Sequence, residues 1–140
     1  LIDIRDYIPE DSLTIDTHFK DDSKEFSWTI TEDEVPLAIL GVYCLHHGCY
    51  RAFTCFNKKK KISPLFITKI AKLLLQQGPR LDPCMGRIEA TVRRDFPIAI
   101  RWATLLGFEY EGILHNFDED DGSDHLMFYF KGLKRENNVG

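Results

Sequence analysis

The sequence contains no C-x-x-C pair, no internal repeat, no basic excess and no apolar run of membrane-spanning length. Each absence closes off a class of function. The four cysteines, Cys44, Cys49, Cys55 and Cys84, fall outside the paired two-residue spacings of common zinc motifs, and the segment holding Cys44, His46, His47 and Cys49 reads as a hairpin turn rather than a metal centre. They are expected to be reduced, partly buried thiols. No motif sets a cysteine and a histidine in recognised nucleophile and base roles. The longest apolar stretch, Val35 to Leu45, stops at His46 and His47, well short of the roughly 20 residues a spanning helix needs. Leu1 to Pro9 carries acids and one arginine where a secretory signal would have a basic head and an apolar run. A soluble, cytoplasmic protein with no membrane partner is expected. A net charge of -4 argues against whole-surface binding of nucleic acid.

What is present suffices for one domain. With 140 residues, 44% of them hydrophobic, the chain is expected to bury about 70% of the surface its unfolded form exposes, without help from disulfides or a structural metal. Residues 1–131 read as that domain and 132–140 as a polar tail. The charge is unevenly placed: Lys58 to Lys61 form a basic block, and Asp118, Glu119, Asp120, Asp121 and Asp124 an acidic one.

Periodicity gives the elements in order. Ile2 to Arg5 reads as a short strand, and Glu10 to Lys24 as a polar segment with a patchy helical stripe at Leu13, Ile15 and Phe19. Phe26, Trp28 and Ile30 alternate with Ser27 and Thr29, the pattern of a half-buried strand, and a turn over Glu32 to Pro36 leads into a strand from Leu37 to Tyr43. A polar break at His46 to Gly48 precedes a third strand, Cys49 to Phe56. The period then changes. Ser63-Pro64 is a helix start, because the serine oxygen can accept an orphan amide and proline at the first helical position forfeits no hydrogen bond. Phe66, Ile67, Ile70, Ala71, Leu73 and Leu74 form its apolar face, and Gly78-Pro79 is expected to stop it. Arg87 to Val92 reads as a strand, Asp95 with Pro97 as the opening of a second helix that Leu106-Gly107 closes, and Glu109 to Asn116 with His125 to Lys131 as a last hairpin. The fold class is α/β, with one mixed central sheet of about six to seven strands flanked by helices.

The junction before Ser63 carries the clearest chemical meaning. A strand that feeds through a loop into a helix gathers backbone amides and the positive helix end at one point, which suits a phosphate. Lys58, Lys59, Lys60 and Lys61 occupy that loop; a solvated basic loop is the alternative, and both readings stand at this point. The acidic turn Asp118 to Asp124 would attract a cationic amine, or is a soluble hairpin tip. It does not fit a calcium loop, since placing Gly122 at the required glycine puts Phe117 at the first ligand position and Phe128 where a bidentate glutamate belongs.

From Phe53 to Leu74, then Ile88 to Val92, then Ala99 to Phe108 with its leucine-glycine-phenylalanine ending, the sequence resembles the second half of a GNAT-type N-acyltransferase. The resemblance covers roughly residues 35 to 131. More narrowly, Val35 to Ile39 and Ile98 to Gly107 look like small GNAT-fold proteins of tailed bacteriophages, including internal virion proteins of short-tailed phages. The resemblance implies a sheet splayed between the strands Cys49 to Phe56 and Arg87 to Val92, threaded by acetyl-CoA as acyl donor, with an amine as acceptor. It implies that Lys58, Lys59, Lys60, Lys61 and Ser63 grip the pyrophosphate, that the backbone of Thr54, Cys55 and Phe56 positions the thioester and steadies its oxyanion, and that Arg101 meets the adenosine phosphates. Glu89 is the expected base, no acid residue being present on Cys49 to Phe56.

The chain departs from the family pattern in two places. The family's phosphate loop reads Q/R-x-x-G-x-G/A; here Lys61 and Ser63 replace its glycines, and Pro64 removes one amide. The family's tyrosine acid falls on Ala103. A thiolate leaves tolerably at neutral pH, so slower chemistry is expected rather than none. Two functions are therefore open: a phage-encoded acyl-CoA-dependent N-acyltransferase, and a catalytically silent GNAT-fold protein with a virion or host protein as partner.

Overall fold

Alternation of apolar and polar side chains produces a meander in the first half of the chain. The computed structural model describes residues 1–15 and 26–130. Strands β1 (Ile2–Asp6), β2 (Phe26–Glu32), β3 (Val35–His46) and β4 (Cys49–Phe56) pair antiparallel in sequence order. The β2–β3 turn is tighter than expected, because Asp33 and Glu34 both take positive φ, 50° and 70°, the geometry that matches the twist of a two-residue hairpin. Strand β3 consequently begins at Val35 and takes in Pro36, which lies opposite Thr31 at a register shift in β2, where a missing N–H is tolerated. Ahead of β2 the single helical turn α1 (Asp11–Thr14) is described; the rest of the segment expected to be patchily helical, and the tail 132–140, lie outside the described residues.

The helices follow from their caps. Ser63 Oγ accepts from the Phe66 amide at 3.4 Å and Pro64 occupies the first turn of α2 (Pro64–Gln76). As expected, α2 ends just before Gly78-Pro79, with Gln77 as its cap; the same pair then opens a further turn, α3 (Gly78–Leu81), since proline is equally at home at the start of a new helix. Strand β5 (Arg87–Arg93) precedes α4 (Pro97–Leu106). Asp95 does not cap α4: its carboxylate faces Arg93, 3.1 Å away, and Phe96 takes the cap position. Gly107 closes α4 at φ 102°, a left-handed conformation suited to glycine, and β6 (Phe108–Leu114) and β7 (His125–Phe130) form the last hairpin.

The described residues form one α/β domain, a seven-stranded mixed sheet in the order β1-β2-β3-β4-β5-β7-β6 flanked by four helices. Helices α2 and α4 cover one face, where Val42, Tyr50, Ala71, Leu75, Met85, Ile88, Leu106 and Phe128 form the main core. The face on the α1 side buries Ile15, Ile39 and Phe53. Because both faces are covered, Thr29 and Thr31 are as buried as Ile30, and the simple alternation expected for β2 fails there. Among the described residues no helix is long and apolar enough to cross a membrane.

Gly41 shows how tightly the meander is packed. A Cβ there would lie 2.5 Å from the Phe26 carbonyl oxygen, 2.9 Å from the Ser27 Cα and 3.0 Å from the Phe53 ring, and the β2 backbone cannot retreat without breaking the ladder. Gly41→Ala is expected to destabilise the protein by about 2 kcal/mol, read as a lower urea midpoint with unchanged m.

Candidate active site

β4 and β5 run parallel and pair only at Cys49↔Arg87, Tyr50↔Ile88 and Arg51↔Glu89. Beyond Arg51 they part, as the sequence suggested. Between them lies a cleft of about 530 Å³. Arg51, Phe53, Thr91 and Arg93 line it together with Ala52, Thr54, Ala90 and Val92. Successive strand residues point to opposite faces, so the opening is a slot through the sheet, with one mouth on the α2/α4 face and one on the α1 face. Along Ala52 to Phe56 the β5 side of β4 has no strand partner, and every second N–H and C=O there is turned toward the slot.

At its far end β4 enters the lysine loop. Lys58, Lys59, Lys60 and Lys61 are all exposed. Sequence reading missed Asn57, which is buried and organises the loop. Its Nδ2 donates to the Pro36 carbonyl at 2.9 Å, its Oδ1 accepts from the Lys59 amide at 3.0 Å, and its own carbonyl accepts from the Lys60 amide at 3.1 Å. Two amides are thereby consumed within the loop. Those of Lys61, Ile62, Ser63 and Leu65 find no acceptor among the described residues and remain available at the helix end. Ser63 spends its hydroxyl on the cap. Trp102 of α4, a second residue the sequence did not single out, braces this corner: its Nε1 donates to Thr68 Oγ1 at 2.9 Å, and its ring meets Phe56 edge-on at 6.3 Å. Arg101, next to it, is exposed and has no hydrogen bond or ion pair among the described residues.

Solved structures with this architecture are numerous. A GNAT-family acetyltransferase from Bacillus cereus superposes with a TM-score of 0.69 over 96% of this chain and 99% of that one, at 15% identity. The ribosomal-protein-S18-alanine N-acetyltransferase of Escherichia coli gives 0.71 over 100% and 99%, at 12% identity. A spermidine N-acetyltransferase mutant from Vibrio cholerae gives 0.70 over 92% of each chain, at 11% identity. The fold is that of the GNAT acetyltransferases. No protein-family model and no curated protein matches the sequence.

Within this GNAT fold the expected site residues are distributed unevenly. Thr54 lines the slot, whereas Cys55 packs toward Ile39 on the α1 face and Phe56 is at the strand end. Ala103 is buried in the slot wall and brings no hydroxyl. Glu89 is 7% exposed, and its carboxylate accepts from Arg51 and, at 2.9 Å, from Arg87, which also pairs with Glu111. Burial alone would raise its pKa, but the two guanidinium groups outweigh burial and hold the carboxyl below its ordinary value. Glu89 is absent from the slot lining; Arg51 stands there in its place. The same carboxylate, after burial itself, helps to push the neighbouring Cys49 thiol up, so that sulfur is not an activated nucleophile.

The acidic hairpin turn is folded onto β5. Arg93 reaches Asp95, Asp118 and Asp121, the last at 2.9 Å, and Asp124 meets Arg94 and His115. Backbone amides of Asp120 and Asp121, with His125, hold the Asp118 carboxyl below its usual range. Glu119 lines the slot. So does His125, which the sequence reading passed over: its Nε2 lies 3.3 Å from Asp118 Oδ2, and its Nδ1 is buried without a hydrogen-bond partner among the described residues.

Proposed function

We propose that the protein is an N-acyltransferase that moves an acyl group, acetyl in the simplest case, from acyl-CoA to an amine. The observation that carries this reading is the through-sheet slot at the β4/β5 divergence, opening beside a strand-loop-helix junction with four lysines and free amides. The amide donors of Lys61 to Leu65, with the side chains of Lys58 to Lys61, receive the pyrophosphate. Arg101 serves the adenosine phosphates. The slot-side edge of β4, which β5 does not cover beyond Arg51, offers backbone N–H and C=O groups to the pantetheine amides, and one amide of Thr54 to Phe56 steadies the oxyanion.

The acceptor enters from the α1 face, where the carboxylate of Glu119 favours a cation. Its ammonium first loses a proton, because only the free amine has a lone pair to attack with. Attack on the carbonyl carbon forms the C–N bond, and collapse of the tetrahedral oxyanion breaks the C–S bond and releases the thiolate. The proton acceptor in this reading is His125, with Asp118 fixing the proton on Nε2 and leaving Nδ1 free. Glu89 acts as a positioning residue that holds Arg51 against the slot wall.

The sequence resemblance to phage proteins supports a phage-encoded enzyme working in the host cytoplasm. A second reading, a silent scaffold in a virion or host complex, is favoured by one set of observations: lysine and serine stand at the loop's glycine positions, Asn57 consumes two of its amides, and Ala103 supplies no acid. Calorimetric titration with CoA and acetyl-CoA separates the two, since no heat of binding at millimolar ligand leaves only the scaffold.

Where binding is seen, alanine at Lys58 to Lys61 together tests the cradle. Exposed ion pairs are worth about 0.2–1 kcal/mol each, so the four substitutions together are expected to cost about 0.8–4 kcal/mol of CoA affinity, a loss of roughly fourfold to several hundredfold. The urea midpoint should barely move. Unchanged affinity would remove this loop from the site.

A further inference from the structure

We propose that the apolar cavity beneath α2 receives the alkyl tail of the donor, so that the preferred thioester carries an acyl chain several carbons longer than acetyl. This rests on the acyl-transfer reading and deepens it. The cavity lies between α2 and strands β2 to β5 and measures about 60 Å³, on a scale where one water needs only about 10–15 Å³. Its walls include Leu40, Ala71, Leu74, Leu75, Met85 and Ile88. Its lining is almost wholly apolar, so water finds few hydrogen-bond partners there and an alkyl chain displaces it at little cost.

Its location decides what occupies it. Ala52, Phe53 and Thr54 of β4, with Trp102 and Leu106 of α4, line both this cavity and the slot. That stretch of β4 leads directly to the backbone assigned to the thioester. An acyl group bound there has its carbonyl at the β4 edge and its tail directed toward α2, where carbon and not solvent awaits it. An acetyl methyl is too short to fill the space, whereas a chain of four to six carbons adds two to four methylenes, each contributing about 0.8 kcal/mol when buried, or fourfold in affinity.

The test is a calorimetric series with CoA, acetyl-CoA, butyryl-CoA and hexanoyl-CoA, which needs no knowledge of the acceptor. Affinity is expected to rise by at least tenfold from acetyl-CoA to hexanoyl-CoA. Ala71→Leu fills the cavity from α2 without touching the slot lining, and should return hexanoyl-CoA to the affinity of acetyl-CoA while leaving CoA itself unchanged. Leu74→Phe does the same from the next turn, should the first variant fold poorly. Affinity that stays flat or falls with chain length, or a gain that both filled variants retain, overturns the proposal while the measured CoA binding keeps the acyl-transfer reading. Absence of binding by every member of the series overturns both.

Discussion

Replacing His125 with glutamine is expected to lower kcat about 100-fold while leaving the affinity for CoA unchanged. A positioned base contributes roughly that factor or more, and glutamine retains polarity and approximate size without an imidazole lone pair. The expectation follows from three facts about one ring. His125 lines the slot, its Nε2 is oriented by Asp118, and its Nδ1 has no hydrogen-bond partner among the described residues. Asp118→Asn should produce a smaller loss by releasing the tautomer rather than removing the base. Glu89→Gln is the control: both of its oxygens are engaged by arginines, so its loss should act on stability and on the placement of Arg51. A wild-type kcat for the His125 variant, with a collapsed kcat and intact CoA binding for Glu89→Gln, would return the role to Glu89.

The contrast between these two residues shows where a sequence is informative and where it is not. Ser63-Pro64 and Leu106-Gly107 are local signals, decided by an orphan amide and a left-handed φ, and both hold in the structure. The meander follows from element order, whereas the divergence of β4 from β5 was anticipated only as what the resemblance to GNAT-type acyltransferases implies. Glu89 could not be judged in the same way. Its partners are Arg51, 38 positions away, and Arg87, and only the parallel register Arg51↔Glu89 sets one carboxylate between two guanidinium groups. Arg93 likewise meets Asp118 and Asp121 only because β7 folds the acidic turn back over β5. A block of acids that reads as free charge in the chain becomes partly neutralised in the fold. Asn57 was hidden for a different reason. An asparagine at a strand end is an ordinary turn residue whose grip on the Lys59 amide is local, but its bond to the Pro36 carbonyl, which fixes the loop to the sheet, depends on β3 lying alongside.

The largest loss of stability is expected from Asp11→Ala, about 3 kcal/mol at pH 7. Asp11 is 3% exposed on α1. Its carboxylate accepts two hydrogen bonds from Arg5, at 2.7 and 2.8 Å, one from the Thr29 hydroxyl at 2.6 Å and one from the Ile8 amide at 3.0 Å. It therefore ties β1, β2 and the chain entering α1 to one point. Removing it strands the buried Thr29 hydroxyl and leaves Arg5 without its partner; because the Arg5 side chain is 36% exposed, water recovers part of that charge, which keeps the figure at the low end for a broken buried pair. Burial by itself would raise the carboxyl's pKa, yet the hydrogen bonds from Arg5, Thr29 and Ile8 prevail and lower it. A carboxyl whose folded pKa lies below its unfolded value near 3.9 contributes its full stability above about pH 5 and loses it as pH falls through the folded value. Asp11→Asn should thus be markedly less stable than the wild type at pH 7, and the difference between them should narrow as pH drops below about 4. Urea unfolding of both proteins at pH 7 and at progressively lower pH reads this directly, and a difference that stays constant across the range would mean that Asp11 acts through packing rather than charge.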